Sequence, residues 1–568
     1  MSAPTAATGS SAARAIVDRH ERSLPAAERR RLGAHYTPEP LARRLMELAA
    51  AACSGLPRVI CDPCCGAGAV LLAAADHLAS RGVEPGKVVA ERLLGVDIDP
   101  EAAAAAREAL VRWARDHGVR RPPEPAVVVA DSLAPAQSWA GRHHGRIDLV
   151  VGNPPFLSQL AVETAFDPSE RLAVAGRFGD LGAYTDAAAV HLLGGLEAVG
   201  RGGVVCLLQP QSVLGARDAG PVRRALVERA ALVGLWATDE LPFEAQVAVC
   251  APVLRRLECE GGHEVGRAGT VQVDAVRTGA VRVSWRDSLP TEVSFSPDGD
   301  GSWSPLLASA LGVPPVAGVA PGTGRVSDVA TVTAGFRDEF YALAAAAHDR
   351  PAAAYDPPAA AHDPRLVTVG MIDPGRLAWG TTPRRLAGRA VIAPRVDLAE
   401  LDAAAPRVAR WAVQRLGPKV LVASQTKVLE AVVDAAGDCV PVTPVVSVEP
   451  TVADVTPVML AAALSSPSVS VRLATVASGT GLSTAALRVG ARAVGGLPLP
   501  GDPRAWAEAA TAWVAFTFDG TPGPDRHAWA ELGRALDAAH GVDDPALLEW
   551  WLDRLPALRP RGRGRGQR

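Results

Sequence analysis

From Gly33 to about residue 260, short apolar runs alternate with Ala- and Leu-rich helical stretches, and this alternation constrains the fold more than any other feature. The strand candidates lie at 57–62 (PRVICD), 92–97 (RLLGVD), 126–130 (AVVVA), 147–152 (IDLVVG), 203–209, 231–236 and 246–254. Helical segments fit between them, for example over 38–52 and 100–117. Strands alternating with helices bury both faces of a mostly parallel sheet, so the pattern predicts a doubly wound α/β fold. The last two runs are close enough to pair antiparallel through LPFEA, which gives the sheet an antiparallel final strand.

A chain of 568 residues exceeds one such domain. We divide it into an N-terminal arm (1–33), the α/β domain (34–260), a linker with short strands (261–325), a mixed α/β domain (326–500), C-terminal helices (501–558) and an Arg/Gly tail (559–568) expected to be disordered. A hydrophobic fraction of 48% with 21% charged residues rules out global disorder. The formal net charge is only −3, so any nucleic-acid surface must be a local patch. The eight cysteines form no regularly spaced framework, and no apolar run approaches the roughly 20 residues of a membrane span. The N-terminus has no signal-like apolar stretch, so a cytoplasmic, nucleoid-associated location is expected.

The residues able to carry chemistry fall just past the carboxyl ends of the first four strands. Asp62 opens a small-residue loop through Gly66-Ala67-Gly68, Asp97 ends the second strand, Asp131 the third, and Asn153-Pro154-Pro155-Phe156 follows the fourth. Open α/β sheets bind ligands along this edge. Glycines let backbone amides approach a ligand at a helix N-terminus, and an acid ending the second strand accepts hydrogen bonds from ribose hydroxyls. Taken singly, Asp97 reads equally as a cap for the helix at Pro100, and Asn153 as a turn residue. Cys61-x-x-Cys64 has no second Cys/His pair at ligand spacing, and His143-His144 reads as an exposed loop pair, so no metal site is expected.

This ordered series, with GAHYTPEPLARRLM upstream, resembles the S-adenosylmethionine-dependent DNA methyltransferases that modify the N6 amine of adenine, in the gamma-class motif order of type II restriction-modification enzymes. The resemblance implies a Rossmann-like methyltransferase sheet over 34–260 and a target-recognition domain over 326–500. It places Tyr36, Thr37 and Pro38 near the methionine part of S-adenosylmethionine. Asp62, Pro63, Cys64, Gly66 and Gly68 line the cofactor pocket, Asp97 holds the ribose, Ile98 lies against the adenine ring, and Asp131 accepts from its amine beside Ser132. Asn153, Pro154, Pro155 and Phe156 form the catalytic motif. Tyr184 and Asp186 approach the target base, although Asp186 reads equally as a helix cap.

Residues 365–430 contain eleven bases and five acids, and Arg376, Arg384, Arg385, Arg389, Lys419 and Lys427 are the candidate phosphate contacts. The expected activity is site-specific methylation of a flipped adenine in double-stranded DNA, in restriction-modification or phage defence, with a separate restriction endonuclease or defence subunit as partner. Methylation of a protein glutamine or of RNA adenine stays open, as does a non-catalytic DNA-specificity subunit. Asn153, where cytosine-N4 enzymes usually carry Ser or Thr, favours adenine, and the long basic C-terminal region favours DNA.

Overall fold

The structure, a computed structural model, describes residues 11–23, 37–157, 167–182, 185–240, 247–258, 279–296, 301–317, 323–349, 363–479, 487–517 and 525–558. Tyr36, Tyr184 and the Arg/Gly tail lie outside the described residues. The chain divides into two compact units, Met1–Ala310 and Leu311–Arg568.

The first unit is built on a ten-stranded sheet. In chain order its strands are β1 (Ile60–Asp62), β2 (Leu93–Asp97), β3 (Val127–Val129), β4 (Leu149–Gly152), β5 (Val204–Leu207), β6 (Gln209–Pro210), β7 (Ala230–Thr238), β8 (Val249–Arg256), β9 (Gly279–Trp285) and β10 (Thr291–Phe295). Their spatial order is β10-β9-β7-β8-β5-β4-β1-β2-β3, with β6 paired to β8. β3, β2, β1, β4 and β5 run parallel, and β8 inserts antiparallel between β5 and β7. The inner strands β1 and β4 are buried throughout, as strands covered on both faces must be, which is why they read as unbroken apolar runs.

The strand order reverses at β1, whose neighbours are β2 and β4, and this switch point is where doubly wound sheets open a ligand crevice. Beside the sheet run α1 (Ser11–Ser23), α2 (Glu39–Ala52), α3 (Ala69–Ala79), α4 (Pro100–Asp116), α5 (Pro168–Phe178) and α6 (Ala187–Ala198). α4 starts as its sequence dictates: Asp99 accepts from the Glu101 amide at 2.8 Å and Pro100 takes the first turn.

The domain boundary differs from expectation. β9 pairs parallel with β7 and β10 antiparallel with β9, so part of the expected linker extends the first sheet, and a short helix (Ser304–Ala310) follows before the division. In the second unit one four-stranded sheet joins 330–334, 446–450, 419–423 and 430–434, and another joins 347–349, 394–396, 365–367 and 439–441. The expected C-terminal helices are not separate: Trp506, Trp513, Trp529 and Trp551 share one core with Val420, Val446 and Leu460. Among the described residues no single helix is long and apolar enough to cross a membrane.

Candidate active site

β1 ends at Asp62, whose carboxylate is 1% exposed and accepts from the Cys64 amide at 3.2 Å. Burial, reinforced by nearby Asp97, pushes its carboxyl up to about 8 against the pull of that hydrogen bond. Gly152 at the end of β4 leaves room for it. A Cβ there would stand 2.3 Å from Asp62 Oδ1, so only glycine lets the two strand ends come this close.

The loop after Asp62 turns through Gly66 and Gly68, both with left-handed φ (51° and 98°). At Gly68 a Cβ would press on Ala106 of α4 at 3.2 Å, so this glycine serves packing. At Gly66 a Cβ would meet nothing within 4 Å. The loop thus has open space before it at the point where a cofactor is expected.

Asp97 does not cap α4; Asp99 does. The Asp97 carboxylate turns back to the loop, accepting from the Gly66 amide at 2.7 Å and the Asp99 amide at 2.9 Å, and burial raises its pKa. Ile98, the next residue, is 70% exposed, an apolar side chain held out beside the loop. Asp131 is exposed and accepts from the Leu133 amide at 2.8 Å. Ser132 is buried, its hydroxyl 3.7 Å from the Cys64 sulfur. Burial raises the thiols of Cys61, Cys64 and Cys65, leaving small apolar groups about the loop. His143 is not the exposed residue expected: it is buried, and desolvation lowers its pKa.

Beyond Gly152, the side-chain nitrogen of Asn153 donates to the hydroxyl of Thr37 at 3.0 Å. Thr37 is buried at the entry to α2, so the upstream motif and the Asn-Pro-Pro-Phe motif meet directly. That bond assigns the nitrogen end of the amide to Thr37. Pro154 is buried, and Phe156 is half-buried against the edge of the core. Asp186 caps α6 through the Ala188 amide at 2.9 Å and also holds the Leu157 amide, the residue after Phe156. Thus its structural reading holds, and it braces the end of the motif.

Sequence reasoning missed Gly152 and the bracing role of Asp186. The glycine directly before Asn153 was the available signal for the first; no signal marked the second.

In the second unit, Arg384 and Arg385 lie on one strand of a small hairpin and Arg389 on the other. Arg385 and Arg389 are exposed, Arg384 is half-buried with its Nε donating to the Gly370 carbonyl, and Arg389 donates to the Ala344 carbonyl. Arg376 is half-buried in a neighbouring ribbon, and Lys427 is exposed. Lys419 must be withdrawn as a phosphate contact. Its side chain is 0% exposed, and its ammonium is paired with Asp434 Oδ2 at 2.6 Å and the Gly417 carbonyl at 3.1 Å.

Residues 22–276 match the family model described as N-6 DNA methylase. This bears out the resemblance read from the motifs and, with it, S-adenosylmethionine as the cofactor. No curated protein sequence matches the chain. Among solved structures, the type I restriction-modification methyltransferase subunit from Streptococcus thermophilus is 22% identical, with a TM-score of 0.31 over 39% of this chain and 45% of that one. The type IIG restriction endonuclease BpuSI is 13% identical, with a TM-score of 0.43 over 97% of this chain and 69% of that one. The type ISP restriction-modification enzyme LlaBIII, bound to DNA, is 10% identical, with a TM-score of 0.49 over 88% of this chain and 41% of that one. The chain therefore spans less than half the length of two of these three.

The residues fit the cofactor. Gly66 leaves open space before the loop, the Asp97 carboxylate lies at its side, and Ile98 offers an uncovered apolar contact.

Proposed function

We propose that the chain methylates the N6 amine of an adenine swung out of duplex DNA. The observation that carries the reading is the bond from Asn153 to Thr37, because it fixes the orientation of the catalytic amide. S-adenosylmethionine supplies an electrophilic methyl group on a sulfonium centre. An adenine amine is a poor nucleophile because its lone pair is delocalised into the ring. Asn153 Oδ1 and the Pro154 carbonyl accept its two hydrogens, so the nitrogen pyramidalises and its lone pair is freed toward the methyl group. Pro155 stiffens the turn and removes a competing backbone donor. Phe156 stacks on the extruded base. Positioning and electrostatics dominate the step, and no covalent enzyme intermediate is needed.

In this reading Asp97 holds the ribose, Ile98 packs on the cofactor's adenine, and Asp131 accepts from its amine beside Ser132. Pro63, Cys64 and Gly66 shape the pocket, Gly68 packs its loop on α4, and Tyr36 and Pro38 flank Thr37 at its methionine end. Arg376, Arg384, Arg385, Arg389 and Lys427 bind phosphates and position the duplex, while base-edge contacts supply sequence specificity. The biological setting is restriction-modification or phage defence in the cytoplasm, with a restriction endonuclease or defence subunit as partner. Transfer of tritiated methyl to unmethylated DNA, followed by digestion and chromatography, tests the reading. N6-methyladenine is the expected product; label on cytosine or on protein glutamine would overturn it.

A further inference from the structure

The N-terminal helix α1 packs on α4, the helix that follows the Asp97 strand end. On α1, Ala13, Ile16 and Val17 form one apolar stripe, buried with Ala103, Ala106, Leu110 and Trp113 of α4 in a single core. His20 continues that stripe at helical spacing. The direction of α1 follows from Asp76 of α3. One of its carboxylate oxygens accepts from Arg14 at 2.9 Å and the other from the Trp113 indole at 2.7 Å. Arg14 therefore lies toward the C-terminal end of α4. His20, six residues further on and about 9 Å along the axis, lies toward the N-terminal end of α4, where Asp97 stands.

Two further observations bear on His20. It lies near enough to Asp97 that a protonated imidazole there favours ionisation of the carboxylate. Its Nε2 is shielded from solvent and has no hydrogen-bond partner among the described residues. A shielded ring nitrogen without a partner is costly, and a ligand that supplies one recovers the loss.

We propose that His20 completes the ribose site, its Nε2–H donating to the oxygen of the hydroxyl whose hydrogen Asp97 accepts. Both Asp97 oxygens already accept a backbone amide, and each keeps acceptor capacity for one more donor. A hydroxyl placed there donates to the carboxylate and accepts from the imidazole, satisfying all three groups. His20 stands two residues before the span matched by the family model. The inference rests on the cofactor reading above.

The test is calorimetric titration with S-adenosylhomocysteine and with its 2′-deoxy and 3′-deoxy analogues. His20→Phe keeps a ring for packing on α4 and removes the donor; His20→Gln keeps a donor. For S-adenosylhomocysteine, His20→Phe should bind roughly 3- to 10-fold more weakly than wild type, and His20→Gln within about twofold of it. The loss should vanish for the analogue lacking the hydroxyl that His20 contacts. Melting temperatures of the unliganded variants verify that the fold is intact. Unchanged binding in His20→Phe, or an equal loss against all three ligands, would overturn the role of His20 alone. Failure of the wild type to bind S-adenosylhomocysteine would overturn the cofactor reading itself.

Discussion

The side-chain nitrogen of Asn153 and the hydroxyl of Thr37 lie 3.0 Å apart and join residues 116 positions distant in the chain. The two expected motifs are therefore one structure, in which the entry to α2 sets the angle of the Asn153 amide. Thr37→Val keeps the shape and removes the acceptor. We expect kcat to fall roughly 3- to 10-fold, the worth of one neutral hydrogen bond, with a smaller change in the KM for the donor. Thr37→Ser should restore the rate. Steady-state kinetics checks this, and an unchanged kcat in Thr37→Val would remove Thr37 from the positioning of Asn153.

Gly152 makes a second link between strand ends. Alanine there would place its Cβ 2.3 Å from Asp62 Oδ1. Gly152→Ala should destabilise the first unit by about 1–3 kcal/mol, as overpacking typically does. In an Asp62→Ala background the same change should cost much less, because the obstructing carboxylate is gone. A double-mutant cycle by urea denaturation measures that coupling. Additive effects would show that the crowding is absorbed elsewhere.

These contacts mark how far the sequence could be read. All seven strands expected between residues 57 and 254 form, because inner parallel strands such as LVVG (149–152) must be apolar on both faces and stand out as unbroken runs. β9 and β10 were less legible. GAVRVSW and TEVSF lie amid Gly, Ser, Asp and Pro, and what makes them part of the first sheet is pairing with β7, a long-range choice. The Thr37–Asn153 bond depends on strand order in the same way. Lys419 shows the opposite failure. Charge counting read it as surface, but it sits in KVLVA, a buried strand paired with the one carrying Asp434.

That pair yields a contrast between two lysines. Asp434 also accepts from the Gly437 and Cys439 amides at 3.0 Å, so it is held in place whether or not Lys419 is present. Lys419→Met leaves its buried carboxylate without that partner and should cost about 3–5 kcal/mol. Lys427→Ala should leave the melting temperature nearly unchanged. If it binds a phosphate, it should lower DNA affinity and reduce the slope of log K against log salt by about 0.9. Thermal melts and fluorescence anisotropy across a salt series separate the two. A large stability loss in Lys427→Ala, or none in Lys419→Met, would reverse the assignment.

Asp62 gives the first unit a pH signature. Its folded pKa, about 8, stands above the ordinary carboxylate value of 3.8 because burial opposes ionisation. Between these values the unfolded chain releases the proton while the folded chain keeps it. The stabilisation is therefore whole below about pH 4, is lost progressively as pH rises toward 8, and changes no further above that. Asp62→Asn removes this titration. The stability of wild type relative to Asp62→Asn should fall between pH 4 and 8 and then level off. Urea denaturation at stepped pH checks it; a difference independent of pH would mean that Asp62 is ionised in the fold.

Substitutions at Asn153 and Phe156 should separate into two kinds of defect. In the proposed mechanism Asn153→Ala removes an acceptor that matters most as the adenine nitrogen pyramidalises, so the loss falls on the transition state. Methyl transfer should be nearly abolished while S-adenosylhomocysteine binding stays close to normal. Phe156→Ala should instead weaken capture of the flipped base, since base–aromatic stacking is worth about 1–3 kcal/mol. Because Phe156 also packs against the core edge, its melting temperature must be measured alongside. Phe156→Tyr and Phe156→Trp retain the stacking face and should keep much of the activity. A DNA substrate with an abasic site opposite the target weakens the pairing that holds the base in the helix, and should rescue Phe156→Ala more than Asn153→Ala. Equal rescue would mean that both residues act on base capture, and undiminished transfer in Asn153→Ala would end the adenine-amine mechanism.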